Sequence, residues 1–193
     1  MPTVRDVVTA HPRILFVGIN PGRTSGRVGH HFAGPGNPFW RLLHAAGLLP
    51  VELRADEDQR LVEFGLALVN VCKRPTPTAA ELTRDELARG AIRLHTQVRA
   101  MQPEVVALVG VTLVPIVLGR GVAPGPGAKR ERLAGARVFV LPNPSGLNAS
   151  FPSFAAKLRW FARLRAFAAG PGRAARSPRS RAGRAPRRAP RRR

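Results

Sequence analysis

Four short runs of apolar residues constrain the fold more than any other feature of this sequence. They cover residues 13–19, 66–71, 104–109 and 137–141. Short apolar runs of this kind, rich in β-branched residues, suit strands that are buried on both faces, and such strands are found in parallel sheets that are covered on both sides. The sequence therefore predicts a layered protein with a buried central sheet.

Helix-like segments alternate with these runs, at residues 38–46, 56–64, 79–101, 112–118 and 151–169. The last of them places Phe154, Leu158 and Phe161 at helical spacing and stops before Gly170 and Pro171. Residues 119–135, rich in glycine, proline and basic side chains, are predicted to form a loop. Strand and helix alternation predicts an α/β fold with a mainly parallel sheet of four to five strands and helices on both faces, a three-layer α/β/α arrangement.

Charge divides the chain into two parts. Of its formal net charge of +21, ten charges come from arginines in residues 170–193, which contain no acidic residue. That segment has no large apolar side chain to bury, so we predict one folded domain at residues 1–169 and a disordered basic tail at residues 170–193. The remaining +11 makes the folded part basic as well, which favours a polyanionic partner. A merely solubilising tail and an anionic membrane surface are the alternatives.

The cysteine content and the lengths of the apolar runs indicate the cellular compartment of the protein. Cys72 is the only cysteine of the 193 residues, so neither an intramolecular disulfide nor a cysteine-held metal cluster can form. No apolar run approaches the roughly 18 residues that a membrane span needs. We expect a protein of the reducing cytoplasm that does not insert into a membrane.

Two Asn-Pro turns follow predicted strands. Residues 18–22 read GINPG and directly follow Ile14-Leu15-Phe16-Val17 of the first run, and residues 142–146 read PNPSG after the last run. Ligands of open α/β sheets bind at the carboxyl ends of the strands, so both turns are expected to face one cleft. Either turn alone is a common loop signal, and only their pairing favours a functional site.

An asparagine limits the chemistry that such a site can perform. Its side chain is neutral, so it can orient a water molecule but is a poor general base. Hydrolysis of an N-glycosidic bond suits this limit, because the base departs as the sugar gains oxocarbenium character and water adds late. Positioning and charge stabilisation would then carry most of the catalysis.

These motifs resemble those of the mismatch-specific uracil/thymine DNA glycosylases. The resemblance extends over about residues 12–168 and rests on GINPG, on the following Thr24-Ser25 and Phe32-Ala33, on Asn37-Pro38-Phe39-Trp40, and on NPSGLN at residues 143–148. It implies a uracil-DNA glycosylase-like fold and no metal or cofactor. It also implies a base that is flipped out of the duplex before the bond is cut.

The resemblance implies a role for individual residues of this chain. Asn20 positions the hydrolytic water, Phe32 stacks on the flipped base, and Leu147 enters the gap left in the duplex, where Gly146 and Asn148 face the widowed guanine. Ile19 and Asn70 complete the base pocket. The predicted DNA contacts are Gly22, Ser25, Asn143, Ser145, Gly146, Leu147 and Asn148.

The resulting hypothesis is a monofunctional glycosylase of base excision repair. It would remove uracil, with thymine or ethenocytosine as further candidates, opposite guanine in double-stranded DNA. We expect a monomer of bacterial type, cytoplasmic and nucleoid-associated, whose tail binds DNA non-specifically. Loop histidines such as His31 are expected to contact phosphate or solvent, and Lys73 and Arg74 to be available to phosphates. A DNA-binding module that has lost catalysis and a nucleotide-handling α/β enzyme remain as alternatives.

Overall fold

A central sheet organises the chain, of which the computed structural model describes residues 4–145 and 150–170. The strands within these residues are β1 (Ile14–Gly18), β2 (Leu66–Asn70), β3 (Val105–Val109), β4 (Gly127–Leu133) and β5 (Ala136–Leu141). Their order across the sheet is β2-β1-β3-β5-β4. Neighbouring strands are parallel, except for the antiparallel pair of β4 and β5. The predicted mainly parallel sheet is confirmed.

Helices connect these strands and cover the sheet. The α-helices are α1 (Arg23–Val28), α2 (Phe39–Ala45), α3 (Arg84–Met101), α4 (Val114–Val117) and α5 (Phe154–Ala169), and 3-10 helices span Ala55–Phe64, Ala79–Glu81 and Val111–Leu113. Each predicted helical segment overlaps at least one of these elements. The short helix α1 was not predicted, because six residues with the sequence RTSGRV carry too little apolar periodicity to signal a helix.

The two faces of the sheet carry separate cores, as alternating side chains of a strand require. Phe16, Leu68 and Phe139 point to the face covered by α2, α5 and the 3-10 helix Ala55–Phe64. Leu15 and Val69 point to the opposite face, which α3 and α4 cover. This confirms the three-layer α/β/α arrangement, and it explains why every residue of β1, β2 and β3 is buried.

The predicted loop at residues 119–135 is wrong in its second half, because β4 begins at Gly127. This strand lies at the edge of the sheet and, among the described strands, pairs with β5 alone, so most of its residues are exposed. Its sequence, GAKRERL, is dominated by charges and lacks the apolar run that identified the buried strands. Charged residues on an edge strand oppose pairing with another chain, which is why the strand has a loop-like composition.

The predicted helix at residues 79–101 is divided in two by a capping box. Thr83 Oγ1 accepts a hydrogen bond from Glu86 N at 3.1 Å, and the Glu86 carboxylate accepts one from Thr83 N at 2.8 Å. These bonds satisfy two amide groups at the start of α3, which therefore begins at Arg84. The preceding turn remains a separate 3-10 helix.

Gly90 brings α3 unusually close to the chain that follows β2. A Cβ atom on this glycine would lie 2.4 Å from the Val71 carbonyl oxygen and 2.7 Å from Val71 Cγ1. A helix interior normally gains about 1 kcal/mol from replacing glycine by alanine. Here the backbone oxygen cannot yield easily, so steric overlap opposes that gain.

We expect Gly90→Ala to lower the free energy of unfolding by about 1–3 kcal/mol, the usual range for overpacking. Thr96→Ala, on the exposed side of the same helix, is the control and should change it by less than about 0.5 kcal/mol. Urea denaturation of both variants measures the difference. A more stable Gly90→Ala protein would contradict the close approach of α3.

Candidate active site

A cleft of about 690 Å³ opens at the carboxyl edge of the sheet. Residues at or just beyond the ends of β1, β2, β3 and β5 contribute to its lining, for example Gly18, Asn70, Val109 and Asn143. The structure thus brings both Asn-Pro turns to one cavity, as the sequence predicts for a parallel sheet. The predicted site residues that line it are Ile19, Asn20, Gly22, Ser25, Phe32, Asn70, Asn143 and Ser145.

Hydrogen bonds between the segments that follow β1 and β2 fix the floor of this cleft. Gly18 lies opposite Asn70 in the parallel register. Beyond that pair, Cys72 N donates to the Ile19 carbonyl at 2.7 Å and Thr76 N to the Pro21 carbonyl at 3.1 Å. The GINPG turn is therefore held along its length by the second strand's extension, which makes its backbone a rigid support.

The Asn20 side chain is held by its amide nitrogen. Nδ2 is 2.7 Å from Thr76 Oγ1, and it lies 3.1 Å from the carbonyl oxygens of both Arg74 and Pro21. All three partners accept hydrogen bonds, so they assign the nitrogen of this carboxamide and leave Oδ1 as the atom that can accept from a ligand or water. A carboxamide fixed in this way can orient a water molecule.

Thr76 is a site residue that the sequence analysis did not single out. It is 2% exposed, and its hydroxyl donates to the Thr78 carbonyl at 2.7 Å. Because the hydroxyl proton is used in that bond, the hydroxyl oxygen accepts the hydrogen bond from Asn20 Nδ2. Nothing in the local sequence KRPTPT signals this role, because the contact spans 56 positions of the chain.

Phe32 presents an aromatic ring that is already stacked on one side. Its ring lies 3.9 Å from that of Phe39, centroid to centroid, at an interplanar angle of 22°. Phe39 is fully buried and makes edge contacts with the rings of Phe16, Trp40 and Phe161. A planar ligand that stacked on Phe32 would therefore continue a stack anchored in the core.

The Phe32 backbone has φ of 51°, in the left-handed region that non-glycine residues rarely adopt. Side chains from elsewhere brace the loop on each side of it. Asp58 Oδ2 accepts from His31 N at 3.0 Å, Trp40 Nε1 donates to the His31 carbonyl at 3.2 Å, and Ser25 Oγ accepts from Ala33 N at 3.1 Å. A conformation that costs about 1 kcal/mol or more persists only where the surroundings impose it.

Asn70 and His31 form a buried pair beside this ring. Asn70 Nδ2 lies 3.3 Å from His31 Nδ1, and His31 Nε2 lies 2.9 Å from the Arg5 carbonyl oxygen. His31 is 2% exposed, and burial lowers the pKa of its imidazole below the usual value. The expectation that His31 contacts phosphate or solvent does not fit this position, because its ring is hydrogen-bonded within the fold.

Lys73 and Arg74 are also engaged within the protein. The Lys73 ammonium pairs with Asp6, and the Arg74 guanidinium binds the Glu86 carboxylate at 2.6 and 2.9 Å. Their predicted contact with phosphates stays a prediction, since both side chains remain partly exposed beside these partners. Arg74 fixes the segment whose carbonyl holds Asn20.

The second Asn-Pro turn is described up to Ser145. Asn143 Oδ1 accepts from Ser145 N at 2.9 Å, and the Ser145 carbonyl accepts from the buried Lys157 ammonium at 3.2 Å. The predicted contacts Gly146, Leu147 and Asn148 lie outside the described residues. Their roles, and those of the other predicted DNA contacts, stay predictions.

The described lining of the cleft combines apolar residues with uncharged polar side chains and carries almost no charge. Among residues 4–145 and 150–170 it includes four asparagines and one arginine, and it includes no carboxylate and no lysine. Within the same residues no group of histidine, cysteine, aspartate and glutamate side chains is placed to hold a metal ion. No helix in the described part of the chain is long and apolar enough to cross a membrane.

The fold and the cleft define an α/β protein that presents a fixed carboxamide and an aromatic ring at the carboxyl edge of a parallel sheet. The family model of the uracil DNA glycosylase superfamily matches residues 5–165, and the chain belongs to this superfamily. Its fold is similar to the solution NMR structure of "a putative Uracil DNA glycosylase from Methanosarcina acetivorans". The two share 21% sequence identity with a TM-score of 0.54, over 86% of this chain and 96% of that one.

The contact between Arg74 and Glu86 makes the stability of the site region dependent on pH. The Arg74 guanidinium, with help from the Thr83 backbone, lowers the pKa of Glu86 from 4.5 to about 2. A carboxyl with a lower pKa in the folded state stabilises the protein above its unfolded pKa. That contribution is complete above pH 4.5 and is lost as the pH falls towards 2.

We expect Glu86→Gln to be less stable than the unmodified protein at pH 7, with a difference that shrinks below pH 4.5. Urea denaturation between pH 2.5 and 7 measures this difference as a function of pH. Glu52→Gln is the control, because Glu52 is half-exposed and its carboxylate lies 3.8 Å from His44 Nδ1, beyond hydrogen-bond distance. A Glu86→Gln deficit that is constant with pH would contradict the assignment.

Proposed function

We propose that the protein is a monofunctional DNA glycosylase that hydrolyses the N-glycosidic bond of uracil mispaired with guanine. Thymine and ethenocytosine are further candidate substrates. The observation that carries the proposal is the Asn20 carboxamide, whose nitrogen is held by Thr76 and the Arg74 carbonyl while its oxygen remains to accept from water. Membership of the superfamily supports the same reaction.

The chemistry of the cleft fits a reaction that needs little base catalysis. Without a carboxylate in its described lining, the cleft offers Asn20 Oδ1 as an acceptor for a water proton. A neutral amide is a weak base, which is sufficient when the sugar already has oxocarbenium character and the water adds late. Water, not a protein side chain, would then be the nucleophile, and the product would be an abasic site in an unbroken strand.

Base flipping explains the remaining features of the cleft. A base within a duplex cannot reach Asn20, so it must be extruded at a cost of a few kcal/mol, which is smaller for a mismatched pair. The exposed face of the Phe32 ring would receive it, since stacking of a base on an aromatic side chain contributes about 1–3 kcal/mol. Leu147 would fill the gap in the duplex, with Gly146 and Asn148 facing the unpaired guanine.

Charge supports double-stranded DNA as the partner. The formal net charge of +21 attracts the phosphate backbone, and ten of these charges lie in the tail. We propose that Gly22, Ser25, Asn143 and Ser145 contact the strand that carries the flipped base, and that the tail adds affinity independent of sequence. We expect the protein to act as a monomer.

The two alternatives are separated by simple assays. A DNA-binding module without catalysis would bind a duplex with a U·G mismatch and leave no abasic sites in it. A nucleotide-handling enzyme would bind free nucleotides in the absence of duplex DNA. Formation of abasic sites in the U·G duplex, without strand cleavage, supports the glycosylase.

We expect Asn20→Ala to lower single-turnover excision of uracil by about 10²–10⁴-fold, the range for a positioned catalytic group. Duplex affinity should remain nearly unchanged, because DNA binding relies on other residues. Quantification of abasic sites at saturating enzyme, together with a binding titration, measures both. Thr96→Ala on α3, away from the cleft, serves as the control. Near-full activity of Asn20→Ala would contradict the catalytic role of Asn20.

We expect Leu147→Ala to impair excision more for a U·A pair than for a U·G mismatch. A side chain that fills the gap matters most where flipping is most costly, and a matched pair costs more to open. Single-turnover rates on the two duplexes measure the ratio. Ile92→Ala, which truncates a 70% exposed residue of α3, is the control. Equal losses on both substrates would indicate that Leu147 has a packing role only.

A further inference from the structure

His31 and Asn70 are linked by hydrogen bonds that assign a proton position. The Arg5 carbonyl can only accept, so the His31 nitrogen that faces it at 2.9 Å, Nε2, carries the hydrogen. In a neutral imidazole the other nitrogen, Nδ1, is then an acceptor. It faces the Asn70 carboxamide at 3.3 Å, which must turn its NH₂ group towards the ring. The tautomer of His31 thereby determines the orientation of Asn70.

The opposite side of the same carboxamide faces the place where a base would stack. A Cβ atom on Gly18 would lie 2.4 Å from Asn70 Oδ1 and 3.7 Å from Phe32 Cζ. The absence of a side chain at Gly18 therefore makes room for the Asn70 oxygen beside the Phe32 ring. Both Asn70 and His31 are buried, with 5% and 2% exposure, so neither side chain can turn into solvent.

The orientation of a carboxamide matters because its two ends are opposite in hydrogen-bonding character. The ring of uracil presents an N–H donor next to carbonyl acceptors, whereas cytosine presents a ring nitrogen acceptor next to an amino donor. Held in one orientation, a carboxamide complements one of these edges and opposes the other at the same position. A freely rotating carboxamide complements both.

We propose that His31 is a positioning residue whose neutral form holds the Asn70 carboxamide in one orientation, and that a proton on His31 Nδ1 reverses it. This inference rests on the proposed glycosylase function, since it concerns the reading of the base. A protonated Nδ1 is a donor and would confront the Asn70 NH₂ group. Rotation of the carboxamide by 180° restores a hydrogen bond and places NH₂ over Gly18.

The surroundings of His31 determine where this change occurs along the pH scale. Burial lowers the pKa of the imidazole, and the positive charge of Lys73, in the segment after β2, lowers it further. The Arg5 carbonyl, the Asp58 carboxylate on the 3-10 helix Ala55–Phe64 and the Asp6 carboxylate in the N-terminal segment oppose this. The adjacent His30 faces Asp58 at 3.3 Å. The net effect lowers the pKa of His31 below its usual value of 6.5, so His31 is neutral at pH 7 and gains its proton below pH 6.5.

Two substitutions of His31 isolate the acceptor. In His31→Asn, the oxygen Oδ1 occupies the position of Nδ1 and accepts from Asn70 but does not titrate. In His31→Leu, that position holds a methyl group. Both variants lose the contact with the Arg5 carbonyl, so a purely structural role of His31 predicts the same behaviour for both.

The test is the single-turnover rate of uracil excision from a U·G duplex between pH 5 and 8, with circular dichroism to verify folding at each pH. We expect the rate of the unmodified protein to fall with acidification below pH 6.5. We expect His31→Asn to lack this fall, and His31→Leu to be about 3–10-fold slower than His31→Asn at pH 7.5, the equivalent of one lost hydrogen bond. An acid fall that persists in His31→Asn, or equal rates of the two variants at pH 7.5, would overturn the proposal.

A second measurement does not depend on activity. Nitrogen-15 NMR of the full chain follows the His31 ring and the Asn70 side-chain amide through the same pH range. We expect a neutral Nε2–H ring at pH 7.5 and a shift of the Asn70 NH₂ signals that tracks the protonation of His31. Titration of His31 without a response from Asn70 would overturn the proposal. Absence of uracil excision with this response intact would overturn only the proposed function.

Discussion

The parallel pairing of Gly18 with Asn70 is the constraint on which the rest of the site depends. It brings the ends of β1 and β2 into register, so that the segments beyond them run side by side. The segment after β2 donates backbone hydrogen bonds to the one after β1, as far as the bond from Thr76 to Pro21. Those bonds fix the position of Asn20. A slip of one residue between these strands would reverse the face on which each side chain lies and would separate Asn20 from Thr76.

The aromatic side of the cleft is positioned by a different part of the fold. Phe32 lies on an irregular loop, yet its ring rests on Phe39 at the start of α2, which packs in the core against β1 and α5. The loop bonds made by Asp58, Trp40 and Ser25 come from three separate elements. The site therefore joins a carboxamide fixed by the sheet to a ring fixed by the helical layer.

Sequence reasoning succeeds where a residue's environment is visible in its neighbours. The buried strands are identifiable because every position of β2 or β3 packs in a core. The meeting of both Asn-Pro turns in one cleft is predictable because parallel strands end at the same edge of the sheet. It fails for β4, whose residues face solvent, and for Thr76 and His31, whose partners lie 56 and 39 positions away. Asparagine distribution is a signal that could have helped, because all four asparagines within the described residues line the cleft.

The two outer strands of the sheet are protected from pairing with another chain in different ways. Beside β2, the N-terminal segment covers the edge, where Val7 and Leu68 exchange two backbone hydrogen bonds of 2.8 Å. Along β4 the edge carries Lys129, Arg130 and Arg132 beside the single acidic residue Glu131, so a second copy that approached it would meet a net charge of the same sign. Uncapped sheets can recruit further strands and grow into aggregates. With one edge covered by its own N-terminal segment and the other lined mainly by like charges, the sheet resists strand addition by neighbouring copies on both sides.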